Sequence, residues 1–251
     1  MRTLLISTAV ALLTLDAAVP AGAIVNGTIA TEPYPFIASL HDADFGHLCG
    51  ASIVDSTTLV TAGHCVNQAV GKPHGLAIRH GSARSDSGGT NARITEIRLH
   101  PEYTNVGPGK KYADIAVLKV EEMRGVTPIT IPAVSPAVGT DVRLLGWGRT
   151  CADLTAPCPM SPEVRRLDVK LVPDADCAMT TSKELCISNP DGVSGPCGGD
   201  SGGPAVVRAN GRWELVGATS RPGMRQRERC GQGTGIYTDL VEHRAWVLGQ
   251  L

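Results

Sequence analysis

After Ala23 the chain is dominated by short runs in which apolar and polar residues alternate, broken by glycine, proline or asparagine. Leu167, Val169 and Leu171 alternate with Arg166, Asp168 and Lys170, the period of two expected of a strand with one buried face. Val142 and Leu144 follow the same rule before Gly146-Trp147-Gly148. Ala51–Val54 and Thr58–Thr61 flank a short polar turn and predict a hairpin. A second hairpin is predicted where Asn210-Gly211 separates Pro204–Arg208 from Trp213–Val216, because both turn residues tolerate positive φ. Helical spacing is confined to the tail, where Leu240, Val241, Trp246 and Val247 share a face and Asp239 stands near the start. A proline-bearing stretch, Val126–Pro136, divides two strand-rich halves, which predicts an all-β chain of two packed antiparallel barrels.

Composition narrows this picture. With 29 glycines, 17 prolines and only 4% aromatic residues in 251, turns outnumber long helices. The formal net charge of −1 excludes an electrostatic partnership with nucleic acid or an anionic membrane surface. Eight cysteines point to an oxidising compartment, although the count alone allows 105 connectivities. The N-terminus agrees: Arg2 precedes the apolar run Leu4–Leu15, and Ala21-Gly22-Ala23 closes it with small residues. That run is too short to span a bilayer and reads as a signal peptide over residues 1–23, leaving a secreted chain of residues 24–251.

Three segments carry candidate chemistry. Cys197-Gly198-Gly199-Asp200-Ser201-Gly202-Gly203-Pro204 sets a serine in a glycine-rich turn, where backbone N–H groups can converge without a side chain in the way. A serine hydroxyl needs a base, an orienter for that base and donors for the oxyanion it creates. Upstream lie Thr61-Ala62-Gly63-His64-Cys65 and Tyr112-Ala113-Asp114-Ile115-Ala116-Val117-Leu118. With these segments in the order His, Asp, Ser, the chain resembles the chymotrypsin–trypsin family of serine proteases.

The resemblance implies two six-stranded Greek-key barrels, the first over about 24–125 and the second over about 137–238, with a C-terminal helix over about 239–250. It implies that Ser201 attacks the scissile carbonyl, His64 moves the proton and Asp114 holds the imidazole, with the oxyanion received by the N–H groups of Gly199 and Ser201. The segment Ile24-Val25-Asn26-Gly27 is similar to the family's mature N-terminus, whose free amine pairs with the aspartate before the nucleophile, here Asp200. A signal-peptide cut after Ala23 creates that amine directly, whereas a cut after Ala21 leaves Gly22-Ala23 as a short pro-dipeptide. The family pattern pairs Cys49 with Cys65, Cys177 with Cys186 and Cys197 with Cys230, which leaves Cys151 and Cys158 for each other. Gly63 departs from the usual alanine but removes no functional group, and His41, His47, His74, His80, His100 and His243 read as structural. The sequon Asn26-Gly27-Thr28 reads as a turn. The segment Ser82–Asn91, where many relatives bind calcium, offers only Asp86 as a carboxylate, so no metal or other cofactor is expected. The expected partners are a protein or peptide substrate and protein protease inhibitors, engaged by a monomer.

Specificity is implied by a pocket formed from Gly195, Pro196, Ser220, Pro222 and Gly235. Gly195, six residues before Ser201, stands where an aspartate would select Arg or Lys, so an apolar or aromatic residue is expected before the cut bond. Arg221-Pro222 replaces the family's usual Trp-Gly, and the segment up to Cys230 is long, with Arg225, Arg227 and Arg229 partly offset by Glu228. An arginine folded inward would select an acidic residue instead. The other reading of the whole chain is a catalytically silent relative that uses the scaffold to bind.

Overall fold

The computed structural model describes residues 24–105, 111–153, 155, 157–178, 180–223 and 229–251; the signal peptide expected over 1–23 and the loop residues Arg225, Arg227 and Glu228 lie outside them. A two-residue strand, β1 (Thr28–Ile29), precedes a closed barrel of β2 (Ile37–Asp42), β3 (Gly46–Asp55), β4 (Thr58–Thr61), β5 (Leu76–His80), β6 (Thr90–Leu99) and β9 (Ala116–Val120). Its strands run in the order β2-β3-β4-β9-β6-β5, and β5 returns to pair with β2. The β3–β4 turn is tied by Asp55, whose Oδ1 accepts the N–H of Thr57 at 2.9 Å. Between β6 and β9 lies the short pair β7 (Thr104–Asn105) and β8 (Lys111–Tyr112). Leu40, Ala51, Ile53, Leu59, Ile78, Ile94 and Leu118 fill this barrel from alternate positions, as the pleat requires.

The second barrel comprises β10 (Asp141–Gly146), β11 (Arg165–Val172), β12 (Glu184–Ile187), β13 (Pro204–Ala209), β14 (Arg212–Pro222) and β15 (Gly235–Asp239). The order is β11-β10-β13-β14-β15-β12, closed by β12 on β11, with β1 added at the outer edge of β11. The alternation read in β11 is present: Val169 and Leu171 are buried while Asp168 and Lys170 are exposed. Asn210 and Gly211 turn β13 into β14 with φ of 50° and 77°. Both barrels are six-stranded and antiparallel, as the resemblance implied.

A third apolar cluster joins them. Tyr34, Phe36, Val60, Ile115 and Val117 from the first half pack with Leu145, Trp147, Val206, Leu215 and Leu240 from the second. Trp147 is 1% exposed and spends its only donor, Nε1–H, on the carbonyl of Ala83 at 3.0 Å. The C-terminal helix α2 is shorter than its sequence pattern, covering Arg244–Leu248. Asp239 explains the difference: its Oδ1 accepts from Val241 N–H at 2.8 Å, so residues 240–243 form turns rather than the helix's first turn.

Leu118, fully buried and paired in β9 with Leu59 of β4, carries much of the first barrel's centre. Leu118→Ala is expected to cost about 2–5 kcal/mol, read as a lower denaturant midpoint with disulfides intact.

Candidate active site

Pairing of β4 with β9 is antiparallel, with Thr61 opposite Ala116, so the residues just beyond each strand end, His64 and Asp114, face one another. His64 lies in α1 (Gly63–Val66), and Asp114 follows Ala113, whose φ of 44° turns the chain sharply. Asp114 is fully buried. Its Oδ1 accepts the backbone N–H of His64 at 2.8 Å, and its Oδ2 accepts from His64 Nδ1 at 2.8 Å and from Ser220 Oγ at 2.6 Å. A carboxylate only accepts, so Nδ1 carries the imidazole proton and Nε2 is left with a lone pair. Gly63 has a packing reason: a Cβ there would lie 2.7 Å from the ring of Tyr103, which rests against α1.

The serine loop is held by its carbonyls. Those of Gly198, Gly199 and Asp200 accept, in turn, from Arg149 N–H at 2.8 Å, His47 Nε2–H at 3.0 Å and Gly203 N–H at 2.9 Å. In a trans peptide the N–H points opposite to the C=O. The N–H groups of Gly199 and Ser201 therefore project away from these anchors, and among the described residues neither donates to a protein acceptor. His47, structural by sequence, ties this loop to β2 through Ser39 Oγ at 2.6 Å. Its basicity is pushed down to about 4 by desolvation, so it stays neutral, with Nε2–H donating and Nδ1 accepting.

Ser201 is drawn against the first barrel by its own backbone. Its carbonyl accepts from Gly50 N–H at 2.8 Å, and a Cβ on Gly202 would lie 2.8 Å from the nitrogen of Ala62, two residues before His64. No hydrogen bond joins Ser201 Oγ to His64 in this resting arrangement; such contacts commonly tighten only with substrate bound.

Asp200, 1% exposed, accepts from Gly148 N–H at 2.8 Å, from Cys197 N–H at 2.9 Å and from the backbone of Ile24. Burial raises its carboxyl to about 7 against these donors. Ile24 is itself buried, with φ of 52°, and Val25 exchanges hydrogen bonds with Gly195 at 2.9 and 3.2 Å. Asn26 makes a turn with φ of 59° and donates from Nδ2 to Val193 O at 3.1 Å.

Around the expected pocket, Cβ atoms built on Gly195 and Gly235 would lie 3.3 Å from Gly231 Cα and 3.0 Å from the Ile187 side chain. Pro196 approaches the Gly235 position at 3.5 Å, and Pro222 pairs with Gly235 while remaining exposed. Ser220 points to Asp114 instead. Arg221 is buried and held by Glu184 in an ion pair at 2.5 and 2.9 Å. Arg229 is exposed and bridges by backbone to Asp153. In the segment considered for calcium, the guanidinium of Arg84 donates to both oxygens of Asp86 at 2.9 and 2.8 Å. The disulfides are Cys49–Cys65, Cys151–Cys158, Cys177–Cys186 and Cys197–Cys230.

Residues 24–247 match the family model described as Trypsin. The chain is 31% identical over 242 residues to Trypsin 5G1 of Aedes aegypti, covering 90% of this chain and 84% of that protein. It is 31% identical over 248 residues to Trypsin-1 of Astacus astacus, covering 89% and 98%. Bovine coagulation factor XI is also 31% identical, over 245 residues, but the chain spans only 37% of that protein's length.

Asp200 generates a pH prediction. An unfolded aspartate titrates near ~3.9, below the folded value of about 7, so the folded state binds the proton more tightly. The resulting stabilisation is complete below pH ~4 and is lost as pH rises through about 7. With Ile24 in an ordinary peptide linkage, the melting temperature is expected to fall across that window, and Asp200→Asn to flatten the fall.

Proposed function

This chain belongs to the trypsin family of serine proteases, and from that premise we propose that it is a secreted endopeptidase acting through an acyl-enzyme intermediate. The observation that carries the reading is the buried Asp114, which accepts from His64 Nδ1 and so leaves the basic lone pair on Nε2, while the serine loop carries two N–H groups that, among the described residues, donate to no protein acceptor. In the proposed reaction His64 Nε2 takes the Ser201 hydroxyl proton as Oγ attacks the scissile carbonyl. Asp114 stabilises the imidazolium that forms without itself becoming protonated. Gly199 and Ser201 N–H receive the oxyanion, and His64 returns the proton to the leaving amine. Water then repeats the sequence on the ester. A substrate protein or peptide is the partner, and protein inhibitors shaped like substrate are further ones. The charge-led apolar segment before Ile24 and the four disulfides support export.

Cleavage before Ile24 is the proposed activating event. A β-branched residue at φ 52° is strained by about 1–3 kcal/mol, because its side chain and the preceding carbonyl compete for space. A free amine has no preceding carbonyl, so the same cut removes the strain and supplies a cation for Asp200. Pairing raises the amine above its ordinary ~7.7–8.0, so its contribution holds at lower pH and fades as pH rises through the folded value.

For specificity, the family position at the base of the pocket is Gly195 here, which offers no acid to a basic side chain. The charge of Arg221 is already matched by Glu184. Both points favour an apolar or aromatic residue before the cut bond over a basic or acidic one, with each buried methylene worth about 0.8 kcal/mol. Pro222 has no N–H, so one backbone hydrogen bond to substrate is absent and efficiency is modest.

An organophosphonate or sulfonyl fluoride is expected to label Ser201; an unlabelled protein would point to a silent binding module. Ser201→Ala and His64→Ala should each lower kcat by several orders of magnitude, and the double variant should be little worse than either. Additive losses would mean that the two do not act as one unit. Matched peptides ending in Phe, Leu, Arg and Glu, compared by kcat/KM, test the pocket, and a clear Arg preference would refute it. An added residue before a mature Ile24 should remove most activity.

A further inference from the structure

We infer that Arg221 is a positioning residue for the Asp114–His64 pair, and that Glu184 is retained beneath it to cancel its charge. The inference rests on the catalytic reading of Asp114 and His64 given above.

The local backbone makes the arrangement possible. A regular strand sends successive side chains to opposite faces. In β14 the register slips between Thr219 and Arg221: Thr219 faces Tyr237 and Arg221 faces Ile236, leaving Ser220 as the extra residue. Such a bulge lets two consecutive side chains turn inward, and Ser220 and Arg221 are 3% and 6% exposed. Glu184 comes from β12, opposite Thr238 of β15, and Thr238 Oγ1 donates to the Asp114 carbonyl at 3.0 Å. The strand that carries Glu184 is thus paired with the strand whose Thr238 holds the backbone of Asp114.

Hydrogen-bond direction then assigns the roles. A guanidinium has donors only, so Arg221, 3.3 Å from Ser220 Oγ, offers its proton to that oxygen. The Ser220 hydroxyl is left to donate its own proton to Asp114 Oδ2 at 2.6 Å. With the His64 donors, each of these three contacts to the Asp114 side chain is a donation to a carboxylate oxygen. Donation from a cation also polarises the hydroxyl and strengthens its bond to the carboxylate. A lone buried cation at this place would oppose the imidazolium that forms in catalysis. Glu184 prevents that by holding Arg221 through both oxygens, while Thr181 N–H donates to Glu184 Oε2 at 2.8 Å.

Other titratable groups stand near this pair. Tyr103, packed toward Asp114 from the first barrel, is pushed up by burial and stays neutral. His100 and His243 are both pulled down by burial, the latter to about 4. Glu102 and Lys183 pair with each other at 2.9 Å on the surface. Asp239, on the end of β15, is raised by burial and accepts from Ser135 Oγ at 2.7 Å.

The test is the pH dependence of kcat and kcat/KM in wild type, Glu184→Gln, Arg221→Met and the double variant Arg221→Met/Glu184→Met, with thermal stability alongside. Glu184→Gln removes the carboxylate that holds Arg221, and the acid limb of kcat/KM is expected to move down by about one pH unit. Arg221→Met frees the Ser220 hydroxyl, and kcat is expected to fall about tenfold with KM nearly unchanged. The double variant replaces a buried pair by apolar side chains, a change that is often neutral or stabilising, so it keeps the comparison alive if a single variant fails to fold. It is expected to retain the loss in kcat with the acid limb back at its wild-type position. An unshifted acid limb in Glu184→Gln, or wild-type kcat in the double variant, would overturn the inference and leave the pair a packing element. A wild-type protein that neither cleaves peptides nor labels at Ser201 would instead overturn the protease reading.

Discussion

Two glycines touching across the barrel interface set the geometry on which the site depends. A Cβ on Gly50 of β3 would lie 2.6 Å from the Gly203 Cα, so the strand and the serine loop meet backbone to backbone. Gly50 N–H donates to Ser201 O at 2.8 Å, and Gly50 O accepts from Thr61 Oγ1 at 2.8 Å. One short chain of contacts therefore runs from the serine loop through β3 to the end of β4, three residues before His64. Each barrel fills its own interior, and the shared cluster around Trp147 holds the pair in apolar contact. Apolar packing is not directional, however, and fixes no register. The glycine contact does, because nothing larger fits between the two backbones.

Two buried carboxylates and one buried ion pair make three polar sites in the interior, and each is stabilised differently. Asp114 is fully buried and collects donors from the imidazole, the His64 amide and Ser220. Asp200 receives backbone N–H groups alone, and they do not outweigh desolvation, which leaves its carboxyl raised. Arg221 and Glu184 satisfy one another in a two-pronged pair. The contrast gives Asp200 its character. It is the one of the three whose missing partner, a cation at Ile24, could be supplied by cutting the chain.

Much of this architecture is legible in the sequence because it is local. The alternation in β11 and the Asn210-Gly211 turn report half-buried strands and a positive-φ hairpin directly, since both signals lie within a few residues. The Asp114–His64 geometry follows from a register that no window reveals, although the motifs around it carry a family resemblance. What stayed hidden depends on distant partners. Gly63 looked like a loosened backbone until Tyr103, forty residues on, filled the room it leaves. His47 looked structural because Gly199 lies 152 residues away. Arg221 stands only as a replacement for the family's usual Trp, because Glu184, its counter-charge, sits in another strand and carries no motif of its own. The terminal helix was overextended because an apolar face does not show that Asp239 will take the first amides for itself.

The serine loop shows why its donors need no substrate to be arranged. Three successive carbonyls are each held by a different element: an amide from the segment after β10, a side chain from β3 and an amide within the loop. Reorienting the Gly199 or Ser201 N–H requires rotating a peptide plane, and each rotation breaks one of these bonds. A loop of flexible glycines is thus made rigid where it matters, by fixing acceptors on one face so that donors emerge on the other. Asp200 lies inside the same run, and its side chain accepts the Cys197 amide that begins it. Any change in the charge balance at Asp200 is therefore felt first in the peptides that present the two N–H groups. On the proposed reading, a cut at Ile24 acts on this same run, by adding a cation beside Asp200.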